Sequence, residues 1–417
     1  MGIKAFILAH RNDDTRTLAL QASKHPDVDM AFAIDQIRGW QKARNKLPSW
    51  AACEDITYPP PLAMEQCSSE QTARYKVDLC QEIIGGKERH ILADLTGGAG
   101  VDFSFLAPLF TQAIYIERQD TLCQLARHNL CALGLDHAEV REGDAIALLD
   151  SLPHLSLLFI DPARRDQHGA RTFAISDCTP DILPILPQLL EKADHLMVKL
   201  SPMLDWHETL KSLDNAFPNT VREIHIVAAA NECKELLVWL STHHGNTNTV
   251  VCCANDQQTF ITDSETEQHA ASTPCINEIP LVPTRIIDPA SPIGSTYWLY
   301  EPNAAIMKAG CFATLAERFS LQAIAPNSHL FLSTRHIPHF PGRVMRIIGT
   351  TTMNKRQLRE TLKGITKANI TTRNFPLTAD QLRKRLRLAD GGDTYLFATT
   401  TSDKQHLIFI CKKGMTG

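Results

Sequence analysis

Four short runs, each closed by an acidic residue and three of them mostly apolar, form the clearest pattern along the chain. They span Ile91–Asp94, Ala113–Glu117, Val140–Asp144 and Leu157–Asp161. Runs of this length are typical of parallel strands that are buried on both faces. Because parallel strands end at one edge of a sheet, we predict that the four carboxylates lie along the edge where open α/β sheets bind ligands. Each acid taken singly could instead cap the helix that follows it.

A glycine-rich segment, Thr96-Gly97-Gly98-Ala99-Gly100, follows the first of these strands and precedes a helix that we predict from Phe103 to Leu109. Glycine adopts positive φ without strain and lets the backbone approach a ligand closely. The third glycine of the G-x-G-x-x-G fingerprint is absent, and no Gly-Lys-Ser/Thr follows, so the segment is not a phosphate loop. A plain connector between strand and helix remains an alternative.

Changes of periodicity divide the chain into four predicted parts. Residues 1–85 are mostly helical, and Ser68 or Ser69 caps the last of their helices. Residues 86–272 form the α/β domain, whose fifth strand carries Lys199 toward the same edge, where we expect it to pair with an acid. Residues 273–341 contain a proline-rich linker and a small α+β subdomain, and residues 342–417 form a second α+β domain. We also expect single helices over 181–192 and 304–319, and a strand over 329–332.

Composition narrows the class of protein. Apolar residues make up 44% and charged residues 21% of the chain, as in soluble globular proteins. No apolar run approaches the ~20 residues of a membrane helix, the N-terminus is not expected to be a signal peptide, and we expect a cytoplasmic protein without a membrane partner. Twelve cysteines contain no C-x-x-C pair, so we expect reduced thiols and no metal site.

Charge is distributed unevenly. Residues 342–417 contain 15 Lys+Arg and 5 Asp+Glu, a net charge of +10, whereas the whole chain has a net charge of −4. The stretch 355–387 alone has ten basic residues and two acids. Since solvated surfaces usually mix both signs, this end of the chain is predicted to bind a polyanion.

The strand, glycine segment and acids together resemble the class I S-adenosylmethionine-dependent methyltransferases, whose first motif is Asp-Leu-x-x-Gly-x-Gly. The resemblance implies a Rossmann-like α/β sheet with S-adenosyl-L-methionine as cofactor. In the family, the acid matching Glu117 binds the ribose hydroxyls and the residue matching Asp144 accepts from the adenine amino group. In some members a segment before the first strand covers the cofactor's carboxylate end. The implied cofactor-binding residues are Asp94, Thr96, Gly97, Gly98, Gly100, Asp102, Glu117 and Asp144, with Thr72 and Lys76 in the preceding segment.

Asp161-Pro162-Ala163-Arg164 resembles the family's Asp/Asn-Pro-Pro-x motif, at which the methyl acceptor binds, although Ala163 replaces the second proline. The resemblance implies that Asp161 and the Pro162 carbonyl orient an acceptor nitrogen. Arg164 and Arg165 would hold an RNA phosphate or an acid of the fold. They point to opposite sides of an extended chain, so only one should face the substrate.

The order of elements after residue 340 resembles a THUMP-like domain, a type found behind some bacterial methyltransferase domains. Since true THUMP domains occur on RNA-modifying enzymes, the resemblance implies tRNA or rRNA as partner, by analogy of fold. The basic residues expected to contact RNA are Lys355, Arg356, Arg359, Lys363, Arg383, Lys384, Arg385 and Arg387.

Other functions stay open. A non-catalytic RNA-binding or assembly protein could retain the cofactor fold, and a small-molecule methyltransferase would leave the basic end unused. Methylation of pyrimidine carbon 5 would need a nucleophilic cysteine, for which Cys178 is the candidate. A nicotinamide-dependent enzyme shares the ribose-binding acid but expects a third glycine.

Overall fold

A computed structural model describes residues 2–85, 89–164, 174–242, 248–267 and 297–414. The chain forms two compact units. The first comprises Met1–Ile224 and Lys234–Thr247, and the second comprises His225–Cys233 and Asn248–Gly417. The predicted proline-rich linker and Arg165 lie outside the described residues, and of Arg164 only the backbone is described.

The first unit begins with helices, as the sequence predicts. They are α1 (Ile3–His10), α2 (Thr15–Leu20), α3 (Met30–Lys46), α4 (Pro48–Ala52), α5 (Pro61–Gln66) and α6 (Glu70–Ile84). Side chains that precede a helix accept hydrogen bonds from its first free N–H groups, as Asp29 does at α3 and Ser69 at α6. Pro48 and Pro61 stand at the first position of their helices, where the missing N–H costs no hydrogen bond.

The sheet of the first unit has parallel strands at its centre. Its strands are β1 (Ile91–Asp94), β2 (Gln112–Glu117), β3 (Ala138–Glu142), β4 (Leu155–Ile160), β7 (Ala193–Leu200), the first residues of β8 (Val221–Ala229) and the last of β9 (Glu232–Leu240). They run in the order β8-β9-β7-β4-β1-β2-β3, and β9 is antiparallel to β7. The short strands β5 (Ala163–Arg164) and β6 (Cys178–Thr179) form a separate antiparallel pair.

Five helices connect these strands: α7 (Val101–Leu106), α8 (Asp120–Ala132), α9 (Ala145–Leu148), α10 (Leu186–Lys192) and α11 (Trp206–Ala216). Three of the expected boundaries were wrong. The helix expected over 103–109 spans Val101–Leu106 and is followed by a separate 3-10 turn. The helix expected over 181–192 begins at Leu186, and the strand expected to reach Asp144 ends at Glu142. Asp144 is the residue that caps α9, because its carboxylate accepts from the N–H groups of Ile146 and Ala147.

The second unit holds the antiparallel pair β10 (Val250–Asn255) and β11 (Gln258–Asp263) and a seven-stranded sheet. The strands of that sheet are β12 (Trp298–Pro302), β13 (Gln322–Ala323), β14 (Phe331–Ser333), β15 (Gly342–Thr352), β16 (Asn369–Arg373), β17 (Tyr395–Thr400) and β18 (His406–Lys413). They run in the order β13-β14-β12-β15-β18-β17-β16. Its helices are α12 (Ala304–Ala309), α13 (Phe312–Phe319), α14 (Lys355–Thr361) and α15 (Ala379–Leu386).

Two expectations in this unit were wrong in detail. The single helix expected over 304–319 is divided into α12 and α13, because Gly310 adopts a left-handed φ of 77° at the end of α12. The strand expected from His329 begins two residues later, at Phe331, since His329 itself has a φ of 50°. The predicted class, an α/β sheet domain with an N-terminal helical region and a C-terminal α+β domain, is confirmed.

Candidate functional site

A cleft of about 1170 Å³ opens at the carboxyl edge of the parallel strands in the first unit. Ligand pockets are commonly about 300–1000 Å³ in volume, so this one has room for more than one small ligand. The sequence-predicted residues that line it come from the glycine segment, from the first turn of α7, and from the ends of β1, β2, β3 and β4 or the residues just after them. They are Asp94, Thr96, Gly97, Gly98, Gly100, Asp102, Glu117, Asp144 and Asp161.

The glycine segment is shaped by the side chain of Tyr115, which is fully buried under it. A Cβ on Gly97 would stand 2.2 Å from the Tyr115 ring, so only glycine fits at this position. The Tyr115 hydroxyl donates to the carbonyl of Gly98 at 2.7 Å. Gly98 and Gly100 have φ values of 55° and 76°, in the left-handed region that favours glycine. The segment therefore turns sharply and brings bare backbone to the wall of the cleft.

Glu117 ties this segment to the end of β2. Its Oε2 accepts from the N–H of Gly98 at 3.0 Å, and its Oε1 accepts from the N–H groups of Arg118 and Gln119 at 2.9 and 3.0 Å. A carboxylate has about four lone-pair sites, so the three bonds leave capacity for a ligand donor. The sequence left two roles open for each strand-end acid, a ligand contact or a helix cap. Asp144 is placed for both, because it caps α9 and also lines the cleft.

Asp94 lies at the floor of the cleft and is 2% exposed. Burial raises its pKa to about 8, although the hydrogen bond from the N–H of Thr96 acts in the opposite direction. The Thr96 hydroxyl stands between two of the predicted acids. It is 3.3 Å from Oδ1 of Asp94 and accepts from the backbone N–H of Asp161 at 2.7 Å. At neutral pH Asp94 is therefore mostly protonated, and Thr96 links the ends of β1 and β4.

An alternating chain of charges runs from the cleft into the interior of the first unit. Lys199, at the end of β7, places its Nζ 2.6 Å from Oδ2 of Asp161 and 3.1 Å from Oδ2 of Asp102. Lys76, on α6, is fully buried, and its Nζ lies 3.1 Å from Oδ1 of Asp102 and 2.7 Å from both carboxylate oxygens of Glu235. Three carboxylates and two ammonium groups thus form one network.

The titration of this network follows from its burial and its contacts. Burial disfavours the charge on Asp102, but Lys199 and Lys76 outweigh it and hold the pKa of Asp102 well below its ordinary value. Burial also opposes the charge of Lys199, yet Asp102, Asp161 and Glu235 raise its pKa well above the ordinary value. Lys199 is consequently a fixed cation at physiological pH.

Thr72 and Lys76 lie behind the wall of the cleft, in contrast to the other predicted cofactor-binding residues. Thr72 is 2% exposed, and its hydroxyl donates to the carbonyl of Ser69 at 3.2 Å. The ammonium of Lys76 is occupied by Glu235 and Asp102. Neither side chain is among the described residues that line the cleft, so we do not include them in the proposed cofactor site.

Sequence reasoning missed three groups of site residues. Glu235 gave only a faint signal, as a single acid before the apolar run of β9, and Ser68 was considered only as a helix cap. Ser68 donates to Oδ2 of Asp102 at 2.7 Å. The N-terminal helices also contribute Phe32 and Leu62 to the lining of the cleft, where they are 42% and 65% exposed.

Cys178, the candidate nucleophile, is buried but also lines the cleft.

The basic residues of the second unit lie on and after α14 and α15. Leu358 and Leu382 pack these helices onto the sheet, and most of the predicted basic set is exposed. Arg383 differs, because it forms ion pairs with Asp380 at 2.8 Å and with Asp390 at 2.5 Å. The exposed basic set, as we use the term below, is Lys355, Arg356, Arg359, Lys363, Lys384, Arg385 and Arg387.

The described ranges contain no helix long and apolar enough to cross a membrane. The same residues contain no cluster of three or more His, Cys, Asp or Glu side chains suited to a metal ion.

Comparisons with known proteins agree with this architecture. Residues 342–413 match the family model described as THUMP domain-like, and residues 298–341 match that of a ferredoxin-like domain. Two proteins of Mycobacterium tuberculosis, from strains CDC 1551 and H37Rv, are named as uncharacterized S-adenosylmethionine-dependent methyltransferases. Each is 24% identical to this chain over 328 residues, which are 78% of this chain and 80% of theirs.

The solved structures include a proposed methyltransferase from Porphyromonas gingivalis W83. It is 32% identical to this chain, and the match has a TM-score of 0.81 and covers 99% of this chain and 97% of the other. The likeness extends through both units and includes the THUMP-like end. The chain therefore belongs to the family of S-adenosylmethionine-dependent methyltransferases that carry a C-terminal THUMP-like domain.

Proposed function

We propose that this enzyme methylates a base nitrogen of an RNA, with tRNA and rRNA as the candidate classes. The observation that carries the proposal is the exposed basic set on and after α14 and α15, within the THUMP-like segment. Within this set, Arg356 forms an ion pair with Glu360 at 3.3 Å. The other members form no ion pair with an acid among the described residues. A surface of this kind releases counterions when it meets a phosphate backbone, which favours nucleic acid over a small uncharged substrate.

The residues present fit the cofactor that the family requires. Gly97 lets the segment pack against Tyr115, and Gly98 and Gly100 present backbone without side chains at the wall of the cleft. Glu117 would take the ribose hydroxyls with its remaining lone pairs, and Asp144 would accept from the adenine amino group. When bound, S-adenosylmethionine would supply a methyl group on a sulfonium: the acceptor nitrogen bonds to the methyl carbon in line as the carbon–sulfur bond breaks, and the sulfur leaves as a neutral thioether. Asp94, Thr96 and Asp102 complete the proposed cofactor-binding set.

The acceptor end of the cleft is proposed to lie at Asp161 and Pro162, which both line it. An acceptor nitrogen becomes positive as it gains a methyl group, and a nearby carboxylate stabilises that charge. Correct positioning of two reactants supplies about 7–11 kcal/mol of a barrier, so residues that orient the base would contribute more than acid–base chemistry. The base would have to leave its stack to reach the cleft. The exposed side chains of Phe32 and Leu62 offer an apolar wall for such a ring.

For Arg164 and Arg165 the proposal stays that they hold an RNA phosphate or an acid of the fold, with only one of them facing the substrate. The division into residues 1–85, 86–272, 273–341 and 342–417 likewise stays a proposal. In it, the first two parts form the catalytic body and the last part binds RNA.

The test begins with the nucleosides of cellular RNA. Mass spectrometry of total tRNA and rRNA from cells with and without the gene should reveal one methylated nucleoside that is missing in the deletion. RNA from the deletion strain then serves as acceptor for the purified enzyme and radiolabelled cofactor. Asp161→Ala should retain cofactor binding in calorimetry and lose transfer. Identical nucleoside profiles together with no transfer in vitro would contradict the RNA proposal.

Salt dependence separates RNA from a small acceptor. Filter binding of the same RNA at 50 and 200 mM salt should show a steep loss of affinity if several phosphates are contacted. A variant with Lys384 and Arg385 changed to alanine should bind more weakly and with a shallower salt slope. Lys211→Ala, in the first unit and with its side chain 69% exposed, is the matched control and should leave both unchanged.

A further inference from the structure

We infer that Lys199 is a positioning residue of the acceptor end, which acts by holding the carboxylate of Asp161 in place for the acceptor. This inference rests on the proposed role of Asp161 in binding an acceptor nitrogen. It adds to that role by naming Lys199 as the residue that holds the Asp161 side chain in place. Lys199 itself need not touch cofactor or substrate.

The geometry fixes Asp161 at two points. Its side chain is bound through Oδ2, which lies 2.6 Å from Nζ of Lys199. Its backbone N–H donates to the hydroxyl of Thr96 at 2.7 Å. The side chain of Asp161 is 37% exposed, whereas that of Lys199 is 12% exposed, so the carboxylate is the more accessible partner, although both residues line the cleft. Among the described residues, no other side chain donates a hydrogen bond to this carboxylate.

Lys199 is itself held by a buried network of ion pairs, whose side chains cannot change position when a substrate moves. Its second contact is Asp102, which is 8% exposed and also accepts from Ser68 at 2.7 Å. Behind Asp102 stand Lys76 and Glu235, which are 0% and 3% exposed. Side chains that are this buried and bonded have few rotamers available. The network therefore transmits the rigidity of the interior to Asp161, the most exposed of its three carboxylates.

A role for Lys199 as general base is inconsistent with the same contacts. Two carboxylates touch its ammonium and a third acts on it from a greater distance, and they raise its pKa well above the ordinary value despite burial. A lysine that accepts a proton near neutral pH needs the opposite environment, with burial and no carboxylate partner. What Lys199 supplies is a fixed positive charge beside Asp161, which orients the carboxylate.

The first experiment measures coupling without any substrate. Thermal unfolding is recorded for the wild type, Lys199→Met, Asp161→Asn and the double variant, with Lys211→Met as the control for loss of an ordinary lysine. The loss of melting temperature caused by Lys199→Met should be smaller, by about 2 °C or more, when Asp161→Asn is also present. Strictly additive losses would overturn the inference, because they would mean that the two side chains do not support each other.

The second experiment measures transfer to RNA from the deletion strain. Lys199→Met should lower kcat by about 100-fold, with the cofactor Kd unchanged in calorimetry, and Lys199→Arg should recover part of the loss. Partial recovery by Lys199→Arg, with an unchanged cofactor Kd, distinguishes positioning of Asp161 from a general loss of structure. An unchanged kcat in Lys199→Met would overturn the inference.

The two experiments separate this inference from the proposed function. If the wild type transfers no methyl group to RNA but the unfolding cycle shows coupling, the RNA proposal is wrong and the positioning of Asp161 by Lys199 stands. If the wild type methylates RNA and Asp161→Ala is inactive while Lys199→Met behaves as the wild type, the RNA proposal stands and the inference about Lys199 is wrong.

Discussion

Removal of the ammonium of Lys76 should destabilise the first unit more than the loss of any exposed lysine. The substitution is Lys76→Met, which keeps a long unbranched side chain and removes the charge. In the wild type this ammonium is fully buried between Glu235 and Asp102, at 2.7 and 3.1 Å. After the change, two carboxylates that are 3% and 8% exposed lose a partner.

The size of the effect follows from this burial. Breaking a buried ion pair by removing one partner typically costs about 3–5 kcal/mol, because the remaining charge is left without compensation. For a unit of this size, 1 kcal/mol corresponds to about 2–4 °C in melting temperature. We therefore expect Lys76→Met to melt about 6–20 °C below the wild type. Adding Glu235→Leu should recover much of the loss, since apolar replacement of both partners of a buried pair is often close to neutral.

Differential scanning calorimetry of the three proteins is the assay, with Lys211→Met as control. Lys211 has a side chain that is 69% exposed and lies 4.0 Å from Glu208, and exposed pairs of this kind are worth at most about 1 kcal/mol. A Lys76→Met variant that melts within 2 °C of the wild type would refute the reasoning. So would a double variant that is less stable than the single one.

Three other outcomes test different parts of the structure. Gly97→Ala should lose about 1–3 kcal/mol of stability and most cofactor affinity in calorimetry, since a Cβ would stand 2.2 Å from the Tyr115 ring, whereas Gly349→Ala, with no neighbour nearer than 3.8 Å, should change little. Burial raises the pKa of Asp94 from 3.8 to about 8, so this carboxyl group makes the fold less stable as pH rises from about 4 to 8. The melting temperature of Asp94→Asn relative to the wild type should therefore increase across that range, and a constant difference would contradict it. Lys384→Ala should reduce the steepness of log affinity for RNA against log salt by about 1. An unchanged slope would mean that Lys384 does not contact the RNA.

The fold of the catalytic sheet was predictable because its strands are buried on both faces. The runs ending at Asp94 and Glu117 contain no polar alternation, and they form parallel strands at the centre of the sheet. The edge on which their carboxylates lie follows from parallel pairing alone. Boundaries were less accurate where a single residue decides them. Gly310 divides one expected helix into two, and Asp144 lies beyond the end of its strand.

The charge network was not predictable as a network. Lys199 could be expected to meet an acid at the edge of the sheet, but its partners come from elements that are far apart in the sequence. Asp102 is 97 residues before it and Asp161 is 38 residues before it. Lys76 and Glu235 are separated by 159 residues, and nothing local in either segment indicates the other. Periodicity and spacing carry information about neighbours along the chain, whereas this pairing is decided by packing.

The N-terminal helices present the same difficulty, and the structure indicates what they contribute. Side-chain hydrogen bonds join this N-terminal region to α7 and α8 of the first unit. Trp50 donates from its indole to the hydroxyl of Ser104 at 3.2 Å, and Asn129 bonds the backbone of Thr57 at 2.8 and 2.9 Å. These contacts fix the N-terminal region beside α7 and α8, and the same region brings Phe32 and Leu62 to the lining of the cleft. A ligand that enters would therefore meet backbone that is already in place, and would lose little entropy in ordering that part of the protein.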